Sequence, residues 1–211
     1  MTILNPAPLT GKTVLVVNNG TLSLRQLVTR FNELGANTRT VDVGNVAPDL
    51  SGFDALVLSG TKVRAYDTEH YRHLLHVVDN TDKPVLGVCG GMQLMLTARG
   101  AQLEPGEQRV GGHWATVNKD ERIFDYVDTA VRVFHRHTLY VKTVPPGFTS
   151  IGRSELAPVE FVRSDDHRIF GSQAHLEFGP DGKQILRGFA DRITEGPSRA
   201  FDTARKEQNC A

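Results

Sequence analysis

The apolar pattern of the first hundred positions narrows the fold more than any other feature of this 211-residue chain. Short β-branched runs alternate there with segments of helical period. "TVLVVNN" (Thr13–Asn19) ends in turn formers and reads as a buried strand. "TLSLRQLVTRFNELGA" follows, with Leu24, Leu27, Val28, Phe31 and Leu34 at helical spacing and Gly35 as the stop. "NTRTVDV", "FDALVLSG" (Phe53–Gly60) and "KPVLGVC" read as three further strands. "DTEHYRHLLHVVDN" and "GGMQLMLTARG" read as the next helices, the second stopped by Gly100. Apolar strands that alternate with helices belong in a parallel sheet covered on both faces.

The second half changes character. "GGHWATVNK", "TAVRVFHR", "TLYVKTV", "FTSIGRS", "APVEFVRS" and "RIFGSQAHLEF" read as successive short strands, some of them hairpins. "PDGKQILRGFADRI" reads as the last helix, and from about Thr194 the sequence becomes a polar tail. With no repeat, low-complexity block or linker, residues 1–211 are expected to form a single domain.

Composition excludes several classes of partner. Lys plus Arg and Asp plus Glu both number 24, so the formal net charge is zero and nothing calls for nucleic acid or an anionic membrane. No run of about 18 apolar residues is present, so no membrane span is expected. The two cysteines are Cys89 and Cys210, the latter in the polar tail, which argues against a disulfide framework and for a reducing compartment. The N-terminus "MTILNPAPLTGK" lacks the charged and apolar segments of a signal peptide, so a cytoplasmic location is expected.

The chemistry concentrates at "PVLGVCGGMQLML" (Pro84–Leu96), where Cys89 sits between a strand and a helix. A residue on such a turn stands at the carboxyl edge of the sheet, where open α/β folds place their sites. Crowding at a tight strand-to-helix turn demands small neighbours, and Gly87, Gly90 and Gly91 supply them. The following helix aims its N-terminus at Cys89 and favours the thiolate. The Gly90 N–H would face an oxyanion formed by attack of the sulfur. A small core cysteine is the plainer reading of this stretch alone. "IFGSQAHLEF" adds His175 and Glu177, two apart on an apolar strand and so on one face of it. A carboxylate beside an imidazole fixes its tautomer and supports its charged form, the third role in a nucleophile–base–acid triad. A solvated His/Glu pair at a strand end is again the plainer alternative.

Taken together, "GVCGGMQ" and "FGSQAHLE" resemble the fingerprints of class I glutamine amidotransferases of the triad type, with matching order and spacing from Thr13 to about Ile193. The resemblance implies an α/β fold: a flavodoxin-like, open, mostly parallel sheet with helices on both faces and a β-rich second half. It implies Cys89 as nucleophile, His175 as base and Glu177 as its orienter, acting on L-glutamine through a γ-glutamyl thioester, with no cofactor and no metal. "LSGTKV" occupies the place of the family's oxyanion turn, so Gly60 and the backbone of Thr61 would join the Gly90 N–H there. Gln93 matches a substrate-contacting glutamine. "HTLYV" lies where relatives hold the α-amino and carboxylate groups, through the backbone at Thr138 and Leu139. The ammonia would pass to a synthase on a separate polypeptide, since the chain ends soon after the matched region.

Departures from the pattern are specific. Thr61 and Lys62 replace the usual Gly-Pro, and threonine rarely adopts the positive φ open to glycine. Ala174 and Leu176 replace Phe and Pro beside His175, which removes a fixed φ. A stand-alone γ-glutamyl hydrolase or peptidase of the same fold, and a degenerate regulatory module, are the competing readings. The remaining candidates carry less. His70, His73 and His76 recur on one expected helix, but zinc needs a convergent ligand set that is not visible nearby, so a solvated face is the reading. His113 and Trp114 mark the start of a strand, His135 and His137 flank the substrate segment, and His167 sits in a hairpin turn. Asn18–Thr21, Lys62 and Arg64 are candidates for contact with a partner.

Overall fold

The computed structural model describes residues 6–61, 67–155 and 157–195. The expected alternation is present through the first half: β1 (Thr13–Asn18), α1 (Leu24–Glu33), β2 (Asn37–Asp42), β3 (Ala55–Leu58), α2 (Arg72–Asn80), β4 (Val85–Val88) and α3 (Gly90–Thr97). The second half contributes β5 (Leu103–Val117), β6 (Ala130–Val141), β7 (Phe148–Arg153), β8 (Phe161–Ser164), β9 (Ile169–Ser172) and α4 (Pro180–Glu195). All nine strands join one sheet in the order β2-β1-β3-β4-β9-β8-β7-β5-β6. Pairing is parallel from β2 through β9 and antiparallel beyond it. The α/β class thus holds, with the β-rich half added as an antiparallel extension of the same sheet.

Burial explains why the central strands are apolar throughout. Val14, Val16 and Val57 pack on one face against Leu27 and Phe31 of α1 and Leu186 and Phe189 of α4. Leu15, Val17 and Leu58 pack on the other against Leu74 and Val78 of α2 and Leu94 and Met95 of α3. Each such side chain contributes about 1.5–3 kcal/mol when buried, so a strand covered on both faces has no position to spare for a polar residue. β2 has only one neighbour, and its "NTRTVD" is accordingly polar and largely exposed.

Several boundaries differ from the sequence reading, each for a local reason. β5 begins at Leu103, so His113 and Trp114 lie well inside a strand rather than at its start. The "EPG" that resembles a turn is an irregularity in the ladder: Pro105 opposes Leu139, yet the next registered pair is Arg109 and His137. Gly106 is required there, because a Cβ on it would lie 2.6 Å from the Tyr140 ring, whose hydroxyl donates to the Glu107 carbonyl at 2.6 Å. "TAVRVFHR" and "TLYVKTV" are not two strands but the single β6, paired with β5 on both sides of that irregularity. α2 starts at Arg72, which leaves His70 in the preceding turn. α4 continues past Thr194 to Glu195, whose carboxylate is gripped by both guanidinium nitrogens of Arg122 at 2.9 Å. Among the described residues no helix is long and apolar enough to cross a membrane.

The ring of Phe189 is fully buried and meets Phe31 and Phe170 edge-on at 6.4 and 6.2 Å. Phe189→Ala removes the contact that ties α4 to α1 and the sheet. The expected loss is about 3–5 kcal/mol of unfolding free energy, measured by urea titration. A loss below about 1 kcal/mol would show that α4 is not part of the core.

Candidate active site

The carboxyl ends of β1, β3, β4 and β9 open on the same edge, as parallel strands must, and the loops that follow them build the site. Cys89 comes directly after β4 with φ +50° and ψ −110°, one of two non-glycine residues with positive φ among those described. Both its backbone groups are committed. Its N–H donates to the Ser172 carbonyl at 2.6 Å, extending the β4–β9 pairing, and its carbonyl accepts the Gln93 N–H at 3.0 Å in the first turn of α3. Strain of this kind persists only where the surroundings over-determine it. The flanking glycines show why small residues are needed. A Cβ on Gly91 would lie 2.5 Å from the Leu58 carbonyl oxygen, and one on Gly90 would lie 2.7 Å from the Thr61 nitrogen.

His175 reaches the cysteine from beyond β9. The sequence reading placed His175 and Glu177 on a strand, but β9 ends at Ser172 and the two lie in the loop after it. A backbone bridge fixes that loop instead: the His175 N–H donates to the Phe134 carbonyl of β6 at 2.7 Å. The His175 Nδ1 donates to Glu177 Oε1 at 2.8 Å, which leaves Nε2 for the hydrogen bond to the Cys89 side chain. Ser23 Oγ donates to the same Glu177 oxygen, and Arg30 Nε donates to the Glu177 carbonyl at 3.0 Å. Neither Ser23 nor Arg30 carries any mark in the sequence. Burial alone would pull the His175 pKa down, but the hydrogen bonds and charges of Cys89 and Glu177 raise it to about 10. The imidazole is therefore held in its protonated form between Cys89 and Glu177. The proline missing beside His175 has a substitute in packing: Leu176 is buried, and α4 approaches so closely that a Cβ on Gly182 would lie 2.5 Å from its carbonyl oxygen.

A second chain of contacts reaches Cys89 from the opposite side. Gln173 Nε2 lies 3.8 Å from the sulfur, and its Oε1 accepts Gln93 Nε2 at 3.0 Å. Gln93 Nε2 also donates to the Leu139 carbonyl at 2.8 Å. Gln173 sits inside "FGSQAHLE", so its position was visible in the sequence while its role was not. His137 Nδ1 donates to the same Leu139 carbonyl at 3.2 Å, and His135 Nδ1 lies 3.0 Å from His137 Nε2. Burial holds both rings neutral, with pKa values of about 4 for His137 and about 2 for His135. Behind them the buried Arg109 donates to Glu160 Oε1 at 2.7 Å, a pair the sequence did not announce.

The remaining expected positions are arranged unevenly. Gly60 lies against the pair, since a Cβ on it would be 3.3 Å from His175 Cε1 and 3.8 Å from Cys89 Cβ. Thr61 bridges to Gly20, bonds Tyr71 through its hydroxyl at 2.8 Å and does not adopt positive φ. The turn is therefore shaped for a residue of ordinary backbone geometry. Lys62, Arg64 and Cys210 lie outside the described residues. The pocket over Cys89 is lined by Thr21, Leu22, Phe134, Arg136 and Phe178 together with Ser23, Thr61 and His175; Thr138 and Leu139 are not in its wall. His73 bonds the Val46 carbonyl and His76 bonds Asn80, so the three histidines around α2 do not converge. Among the described residues no group of His, Cys, Asp or Glu is placed to hold a metal ion.

Comparison with known proteins places this geometry in context. The family description "Glutamine amidotransferase class-I" matches residues 15–193. A GMP synthase [glutamine-hydrolyzing] from Thermosipho melanesiensis is 27% identical over 191 residues, which cover 87% of this chain and 36% of that protein. The chain thus spans little more than a third of the length of such relatives. A shorter relative, a single GMP synthase [glutamine-hydrolyzing] subunit from Pyrococcus abyssi, is 25% identical, with 84% of this chain matching 96% of its length. Among solved structures, a glutamine amidotransferase from Thermotoga maritima shares the fold at 21% identity, with a TM-score of 0.68 and coverage of 94% and 92% of the two chains.

The raised His175 pKa sets a pH window. Its folded value lies above the ordinary 6.5, so the protonated ring contributes stability that is complete below about 6.5 and is lost as pH rises through about 10. A titration of the His175 ring carbons by NMR is expected to show a midpoint near 10 in the intact protein. Cys89→Ala removes one of the two partners that raise the His175 pKa and is expected to lower that midpoint. A wild-type midpoint near 6.5 would refute the pairing.

Proposed function

The chain belongs to the class-I glutamine amidotransferase family, and on that premise we propose that it hydrolyses the side-chain amide of L-glutamine and delivers the ammonia to a separate synthase. The observation that carries this reading is Cys89 at positive φ with the protonated His175 hydrogen-bonded between it and Glu177. In the first step the Cys89 sulfur attacks the amide carbon, and the carbonyl oxygen becomes an oxyanion against the N–H of Gly90 and the turn at Gly60–Thr61. His175 Nε2 gives its proton to the amide nitrogen, the C–N bond breaks and ammonia leaves, with the γ-glutamyl group held as a thioester. The now neutral His175 takes a proton from water, which attacks the thioester. The C–S bond breaks, glutamate leaves and the ion pair is restored. Glu177 keeps Nδ1 as the donor throughout, so that Nε2 handles every proton. Gln93, Thr138 and Leu139 carry over from the resemblance as contacts for the amino-acid end of the substrate, although none of them lies in the wall of the pocket over Cys89. No step draws on a cofactor, and a buried free cysteine suits a reducing cytoplasm.

The match to nearly the whole of the Pyrococcus relative, itself a GMP synthase [glutamine-hydrolyzing] subunit, supports a separate synthase partner and makes a GMP synthase-type acceptor the first to test. Thr61, which stands where the resemblance expects glycine and does not adopt positive φ, makes dependence on that partner the point to test. One ill-placed oxyanion donor costs about 10²–10³ in turnover, and about 2.7 kcal/mol of differential binding by a docked synthase would restore a hundredfold. Steady-state ammonia release is the test. Cys89→Ala and His175→Ala are expected to reduce it at least a thousandfold, and Glu177→Gln to be roughly 10 to 100 times less damaging. The wild-type rate is expected to rise steeply when the synthase and its acceptor are added. Full activity in His175→Ala, or faster cleavage of γ-glutamyl peptides than of glutamine with no response to any partner, would replace this reading with that of a stand-alone hydrolase.

A further inference from the structure

The pocket over Cys89 has a cation that the triad does not use. Arg136 lies on β6, exposed, and lines the pocket together with Phe134 and Phe178. Strand alternation puts Arg136 on the side of Phe134 and Thr138, opposite the buried His135 and His137. Its neighbour across the ladder is Val110, more than half exposed and without charge. Among the described residues no carboxylate is in the pocket wall; Glu177 is bonded to His175 and to Ser23 instead. Among the described residues the Arg136 guanidinium has no ion-pair or hydrogen-bond partner. The guanidinium shares the pocket wall with the aromatic rings of Phe134 and Phe178 and faces no acid across the ladder.

We propose that Arg136 determines specificity at the amino-acid end of the substrate: its guanidinium holds the α-carboxylate while the side-chain amide meets Cys89. The assignment rests on the glutamine reading above and deepens it. A guanidinium presents paired N–H donors that match both oxygens of a carboxylate, which a lone backbone amide cannot do. Thr138, two residues on and on the same side of β6, places the backbone assigned to that end of the substrate beside it. The site is thereby selective for a free α-carboxylate. Primary amides that lack one, and glutamine whose carboxyl is esterified or joined in a peptide, lose the contact.

Two measurements on the full chain test this. In steady-state glutamine hydrolysis, Arg136→Ala is expected to raise KM about tenfold or more while kcat falls far less, and Arg136→Lys to recover part of the loss. Independently of turnover, labelling of Cys89 is followed with the diazoketone analogue of glutamine and with the α-methyl ester of that analogue. Iodoacetamide, which has no carboxylate, reports whether the cysteine remains accessible. Wild-type protein is expected to label faster with the acid than with the ester, Arg136→Ala to lose that preference and Arg136→Glu to reverse it. A wild-type chain that prefers neither, or an Arg136→Ala chain with unchanged KM and unchanged preference, overturns the assignment. Reaction of wild-type Cys89 with iodoacetamide but with neither analogue overturns the glutamine reading beneath it, and the assignment with it.

Discussion

The backbone at Cys89 can take its strained course only because three segments approach one another without side chains between them. Gly91 runs against the Leu58 carbonyl at the end of β3, and Gly90 against the Thr61 amide just beyond it. The Cys89 N–H is drawn toward β9 by the Ser172 carbonyl. Together these contacts fix where β3, β4 and β9 end relative to one another, and so where the loops after them meet. Any bulk at Gly90 or Gly91 would push α3 away from the sheet and carry the sulfur out of reach of His175. Positive φ at a residue with a side chain costs on the order of 1–3 kcal/mol, which the burial of α3 against both neighbouring strands readily offsets.

The charged groups follow a different logic, because burying them is unfavourable unless each finds a partner. His175 is stabilised in its protonated form from two sides, and Glu177 is steadied by Ser23 and, through its backbone, by Arg30. This arrangement brings β1's following loop and α1 into the site although neither supplies a reacting group. A comparable buried pair, Arg109 with Glu160, sits behind β6. Burial raises the Glu160 pKa, and hydrogen bonds from Ser154 and Arg109 oppose it. Replacing such a pair by apolar residues is often no worse for stability, so its value here lies in orientation. It stands behind His135 and His137, which in turn fix the Leu139 carbonyl that Gln93 shares.

What the sequence disclosed follows from these two kinds of constraint. Strands buried on both faces, helices with one apolar side and a cysteine among glycines are local patterns, and all were legible. β2 was legible as a strand although polar, because β-branched Thr and Val survive at an edge. The long β5 was not, since Pro105 and Gly106 signal a turn unless the opposing Tyr140 is known to need the space. The division of β6 into two strands failed for a similar reason: the histidines in "FHRHT" look like a polar break, yet they are buried on the side facing Glu160. His175 and Glu177 were found for a partly mistaken reason. They meet through a loop pinned to Phe134, and no one-dimensional period encodes a contact with a strand some forty residues earlier. Ser23 and Arg30 stayed silent because a serine or arginine in a helical segment has many ordinary uses.

The antiparallel half can now be given its part in the chemistry. The parallel half alone places a thiol at a sheet edge, next to the turn at Gly60 and Thr61. It contains neither the Phe134 and Arg136 wall of the pocket nor the anchor that holds His175. β6 supplies both: its Phe134 carbonyl holds the His175 loop, and its alternate side chains, Phe134 and Arg136, face the pocket. The Gln93 amide spans the two halves, reaching from the helix that starts at Cys89 to the carbonyl of Leu139 and to Gln173. A shift of β6 along its length would therefore move His175, the pocket wall and the Gln93 contact together. The irregularity that fixes the β5–β6 register between Pro105 and Arg109 is thus coupled, through the Leu139 carbonyl opposite Pro105, to the geometry around the sulfur.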